Sequence, residues 1–135
     1  MSLERFHAAQ EDTYATALAE LQAGQKRGHW MWFIFPQLAS LGRSGTAKFY
    51  GIADLAVARA YLADPVLGPR LIACAEAMLA HQGRSAEDIL GPVDAMKLRS
   101  SATLFARAGG SASFGQILQA FYAGSPCPLT EAALA

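Results

Sequence analysis

Charge is scarce in this chain: Asp, Glu, Lys and Arg make up 16% of its 135 residues, against about a quarter in ordinary soluble domains. Eleven basic and eleven acidic side chains cancel, which argues against a general nucleic-acid binder, since that role needs a basic excess. No run of about 18 apolar residues occurs, so no membrane span is expected. The N-terminal MSLERFHAAQEDTY carries charge where a signal peptide needs an apolar stretch, and the chain reads as cytoplasmic. Cysteine is equally sparse. Cys74 sits in an alanine-rich apolar pattern and Cys127 between two prolines; two unclustered thiols make neither a disulfide framework nor a zinc motif, and both read as ordinary packing or surface residues. His7, His29 and His81 lack metal-ligand spacing, and the zincin, nucleophile-elbow, Walker and dinucleotide-loop patterns are all absent. No metal and no cofactor is expected.

What the chain does have is apolar residues, 53% of the total, many of them alanine. At 14.3 kDa, size scaling gives about 6,800 Å² of folded surface against about 20,700 Å² unfolded, enough burial for a real core without staples. No repeat, charge run or long linker divides the sequence, so one helical domain over 1–135 is expected. The low charged fraction leaves surface for a contact, and a homo-oligomer is one possible use of it.

Leu3, Phe6, Gln10, Tyr14, Leu18 and Leu21 recur at helical spacing up to Gly24, which predicts one first helix. Asp54 can cap LAVARAYLA, and Asp64-Pro65 opens a helix that Gly83 stops. Ser85 caps a short turn closed by Gly91. Pro92 starts VDAMKLRSSATLFARA, a further helix runs from Ser113 to Gly124, and TEAALA adds a last turn. HWMWFIF has no convincing strand partner, so residues 28–35 read as a short buried helix ending before Pro36. The fold class is all-α, a compact bundle of about six or seven short helices. Within HWMWFIFPQ the aromatic run reads as core, yet His29, the Trp30 and Trp32 indole nitrogens and Gln37 each need a partner if buried.

The least core-like stretch is residues 93–107. On a helical wheel Val93, Met96 and Leu104 form one apolar face and Leu98, Ala102 and Phe105 another, with Asp94, Lys97 and Ser101 between them. Arg99, Thr103 and Ala106 fall on the expected solvent side. The polar strip is either a local Asp94–Lys97 pair with Ser101 bonded to backbone, or an anion site in which Asp94 orients Lys97 or moves a proton. GRSGTAKFYG, residues 42–51, offers Gly turns and the Ser44 and Thr46 hydroxyls at a helix start, read either as an ordinary cap or as an anion cradle. Residues 21–53 contain Lys26, Arg27, Arg43 and Lys48 with no acid, and residues 95–130 contain Lys97, Arg99 and Arg107 with no acid. If the two stretches meet, they make a locally positive region in a neutral protein.

RFHAAQEDTY, GHWMWFIFPQL, GRSGTAKFYGI, YLADPVLGPRL and DAMKLRSSATLF, in that order, resemble the family called domain of unknown function 1810 over nearly the whole chain. Ala102 departs from the methionine expected there and leaves the polar positions unchanged. The resemblance implies a small, mainly helical bacterial protein without an assigned activity. Some relatives carry the label calpastatin, a role that a compact chain gives no reason to transfer, since that inhibitor is a disordered repeat protein. The family is also distantly similar to ADP-ribose-related N-glycosidases.

The expected function is binding of a small anionic ligand, nucleotide or ADP-ribose-like, with hydrolase activity as an extension. Lys97, Ser100, Ser101, Arg43, Ser44 and Gln37 would hold it, Trp30 or Trp32 would stack on a planar ring, and Asp94 or His29 would move any proton. The rival is a structural or interaction module without a small-molecule site.

Overall fold

Capping chemistry sets most of the helix starts. The computed structural model describes residues 3–135, and these form an all-α protein of ten α-helices and one 3-10 helix without a strand among the described residues. The order is α1 (Glu4–Glu11), α2 (Tyr14–Ala23), α3 (Met31–Ile34), the 3-10 helix (Ala39–Leu41), α4 (Gly45–Phe49) and α5 (Leu55–Ala63). There follow α6 (Leu67–Leu79), α7 (Ala86–Leu90), α8 (Pro92–Arg107), α9 (Ser113–Tyr122) and α10 (Pro128–Leu134). Asp54 accepts from the Val57 amide, and Ser85 from that of Asp88, each at 3.0 Å. The Asp64 carboxylate accepts from Val66 and Leu67. Gly91, at φ +88° and ψ 159°, holds a conformation that only glycine takes without strain, and Pro92 then begins α8.

The helix count exceeds the expected six or seven for two reasons. The first predicted helix breaks at Asp12–Thr13, two residues that bond readily outside helices, and the Thr13 amide turns back to the Gln10 carbonyl. The other extra elements are one turn long or little more, too short for periodicity to reveal. The 28–35 helix is also shorter than expected, covering Met31–Ile34, and α10 begins at Pro128 rather than at Thr130.

α8 is central, packing against α5, α7, α9 and α10, while α6 packs against α2, α5 and α9. Phe6, Tyr61, Phe105 and Phe114 run through the core as a chain of ring contacts with centroids 5.1, 5.4 and 5.7 Å apart. Trp30, Met31, Ile34 and Phe35 are buried in the same cluster and Phe33 packs against it, so the aromatic run is core except for Trp32. Gln10, placed among the apolar positions by its spacing, is buried because its amide donates to the Phe33 carbonyl and the Tyr61 hydroxyl. The wheel through α8 fails on one face. Val93 and Met96 are 66% and 73% exposed whereas Leu104 is buried, and Thr103, expected at the solvent, is buried with its hydroxyl bonded to the Arg99 carbonyl.

Trp30 is brought inside by Glu20 of α2. One oxygen of that carboxylate accepts from the Arg27 amide at 2.7 Å, the Gly28 amide at 2.9 Å and the Trp30 indole at 3.0 Å. Burial opposes ionisation there, but these hydrogen bonds and the Lys26 charge hold the Glu20 carboxyl below its ordinary 4.5. Asp64 is likewise held below 3.8, its burial outweighed by two amides and His7. Because the unfolded chain binds more protons than the folded one in that window, stability is full above pH 4.5 and declines as pH falls through the folded values. Glu20→Gln keeps an oxygen acceptor but removes the titration. Denaturant midpoints measured as a function of pH are expected to fall less steeply below pH 4.5 in that variant, with the residual slope due to Asp64.

Candidate functional site

Three elements meet at a cleft, each held by identifiable contacts. Residues 37–43 are fixed by a parallel bridge between Leu38 and Ile52: Ala39 donates to the Ile52 carbonyl at 2.8 Å, and Ile52 to that of Gln37 at 2.9 Å. Gly51 makes this approach possible, because a Cβ there would lie 2.3 Å from the Ala39 Cα. α8 is fixed at its start by Asp94, whose two oxygens meet Lys26 Nζ at 2.8 Å and Lys97 Nζ at 3.5 Å. Lys26, nearly buried, also bonds the Gly28 carbonyl and sits 4.9 Å over the Trp30 ring, while Lys97 lies 4.8 Å over the Trp32 ring. α10 is fixed along one stripe of α8. Ser100 bonds Thr130 at 2.8 Å, Thr103 accepts from the Cys127 amide at 2.9 Å, and Arg107 pairs with Glu131.

Between these elements lies a cavity of about 380 Å³, the size of a small-ligand pocket. Gln37, Leu41 and Arg43 line one wall, and Val93, Met96, Lys97 and Ser100, at i, i+3, i+4 and i+7 of α8, line the second. Cys127 and Leu129 complete it. The two acid-free stretches of the sequence therefore meet here, and the lining holds Arg43 and Lys97 and no carboxylate.

Four of the ten candidates face this cavity: Lys97, Ser100, Arg43 and Gln37. The other six do not. Ser101 is buried one helical step from Ser100, because the stripe facing the cleft begins at Val93 and not at Asp94. Ser44 caps α4 by accepting from the Ala47 amide, the ordinary cap expected of GRSGTAKFYG, and does not line the cavity. Trp30 is 1% exposed with its indole bonded to Glu20, and Trp32 lies under the Lys97 ammonium, so neither lines the cleft for a ring to stack on. Asp94 has both oxygens engaged by lysines, which makes it the residue that positions Lys97 rather than a base facing a ligand. His29 is exposed and lines a different cavity of about 300 Å³ with Asp12, Thr16 and Phe33, because Trp30 takes the inward position at Glu20.

Lys26, Leu41, Val93, Met96, Leu129 and Cys127 are the site residues that sequence reasoning missed. For Cys127 a signal existed: a proline in the next position marks a helix start, and Cys127 is the N-terminal cap residue of α10. Burial works against its thiolate, but the nearby Thr130 and Ser100 hydroxyls and the Thr130 and Leu129 amides favour the charged form and bring its pKa below the ordinary 9.0. Cys74 differs in kind, since burial pushes its thiol up to about 12.

A profile described as protein of unknown function (DUF1810) matches residues 1–134. The chain is similar to the crystal structure of the conserved hypothetical protein Rv1873 from Mycobacterium tuberculosis, with 50% identity and a TM-score of 0.95 over 98% of this chain and 95% of that one. No curated protein matches it.

The thiolate is the reactive form of cysteine, so alkylation of the folded protein is expected at Cys127 and not at Cys74, with a rate that titrates below pH 9. Arg43 and Lys97 on the same cavity concentrate anions near that sulfur. Anionic iodoacetate is therefore expected to gain on neutral iodoacetamide relative to a small free thiol, and Lys97→Ala to remove part of the gain, as read by mass spectrometry of the labelled protein.

Proposed function

This chain belongs to the DUF1810 family, proteins of unknown function, and from the cavity we propose that it binds a small anionic ligand between residues 37–43, α8 and the start of α10. The observation that carries this reading is the convergence of Arg43 and Lys97 on one cavity lined by no acid. Asp94 does not cancel that charge, because it is shared with Lys26, and two ammoniums face one carboxylate. Arg43 suits the fork geometry of a phosphate or carboxylate, and Lys97 adds a point charge held in place by Asp94 and the Trp32 ring. A nucleotide or ADP-ribose-like molecule supplies the matching anion. The reading is one of binding and not of hydrolysis, since the two groups considered for proton transfer, Asp94 and His29, do not line the cavity.

A second reading has its own support. Val93, Met96 and Leu129 are exposed at 66%, 73% and 67% around the same cleft, and grouped apolar exposure of this kind marks contact surfaces. As an interaction module the protein would self-associate through them; light scattering that gives the monomer mass at every concentration removes self-association.

Thermal unfolding with phosphate, mononucleotides, NAD and ADP-ribose tests the main reading. Ligand at about 100 times its Kd adds about 2.7 kcal/mol, a shift of several degrees for a chain of this size. A rise in Tm with an anion, lost in Lys97→Ala and in Arg43→Ala while both variants keep their helical circular dichroism, is the expected result. A flat response to the whole panel overturns it.

A further inference from the structure

Each wall of the cavity carries both an apolar and a polar side chain. Residues 37–43 contribute Leu41 beside Arg43, and the start of α10 contributes Leu129 beside Cys127. On α8 the pair Val93 and Met96 sits one turn before the pair Lys97 and Ser100, a displacement of about 6 Å along the helix axis. Among the described residues five large apolar side chains are exposed, and three of them, Val93, Met96 and Leu129, rim this one cavity. Packing does not explain them, because they lie outside the core cluster. The polar groups that a ribose or a base edge would use are few: Gln37 is the single carboxamide on the lining, and its carboxylates number none.

Resting on the anion-binding reading above, we infer the class of ligand: an amphipathic anion, with a phosphate or carboxylate head at Arg43 and Lys97 borne on a short hydrocarbon body covered by Val93, Met96, Leu41 and Leu129. The head satisfies the two cations, and the body removes from water the apolar side chains that the fold leaves exposed. A cavity of about 380 Å³ sits near the small end of ligand pockets, which limits the body to a short chain or a single ring.

The test titrates the intact protein with two homologous series, inorganic phosphate through n-hexyl phosphate and acetate through octanoate, with n-alcohols of matched length as neutral controls. Burial of each methylene is worth about a fourfold gain in affinity, so Kd is expected to fall by about that factor per carbon until the cavity is full, and then to level off. A phosphate slope alone or a carboxylate slope alone identifies the head, and either supports the inference. The double variant Val93→Thr, Met96→Gln replaces exposed side chains and so keeps the fold. It is expected to flatten the slope while leaving inorganic phosphate or acetate unchanged, whereas Lys97→Ala weakens every charged member and no alcohol. If phosphate or a mononucleotide binds in a Lys97-dependent way but added carbons bring no gain, or the gain survives in the double variant, the amphipathic ligand is wrong and the anion site stands. If no anion of either series, and no nucleotide, binds, both readings fall together.

Discussion

Asp94 sits between two lysines, and much of the molecule is arranged around that contact. Lys26, close to fully buried, would be an expensive charge without it, since an ammonium taken from water must be paired and hydrogen-bonded. Asp94 supplies the pair, the Gly28 carbonyl the further hydrogen bond, and the Trp30 face the remaining contact. The same carboxylate then places Lys97 at the cleft. One acid thus joins the loop before α3 to the first turn of α8 and leaves a cation facing the cavity. Glu20 plays the complementary part from the other side of the loop, gathering two amides and an indole on a single oxygen.

The parts of the fold that were legible in the sequence are those whose cause is local. Asp54, Ser85 and the Gly91-Pro92 step act within a few residues of themselves, and the helices they begin are where capping chemistry puts them. The break at Asp12–Thr13 was not legible, because the periodic side chains continue through it and only the turn of the Thr13 amide marks it. Helices of four or five residues such as α3 and α4 carry too little pattern to be read by spacing.

The candidate site was legible in charge and not in geometry. The two stretches without acids do converge on one cleft, since the absence of a carboxylate holds whatever way a side chain turns. Ser101, expected beside Ser100, lies one helical step off the cleft, and its inclusion follows from treating Val93 and Met96 as core. Their apolar character is genuine, but they spend it on a cleft rather than on the interior. Cys127 was passed over because the last helix was started two residues too late. His29 and Trp30, adjacent in sequence, were equally plausible inward residues until Glu20 decided between them by accepting the indole proton.

The attachment of α10 has a thermodynamic consequence. Its three tethers to Ser100, Thr103 and Arg107 all lie on one stripe of α8, and the element itself supplies Cys127 and Leu129 to the cavity wall. Detachment of α10 is therefore a partial opening that takes Cys127 and Leu129 away from the cleft. Occupancy of the cleft and docking of α10 are then linked functions: whatever free energy a guest gains from the closed wall, the segment gains in return as resistance to peeling away. The C-terminal helix is in that sense a reporter of the cavity, its amide protection rising and falling with what the cavity holds.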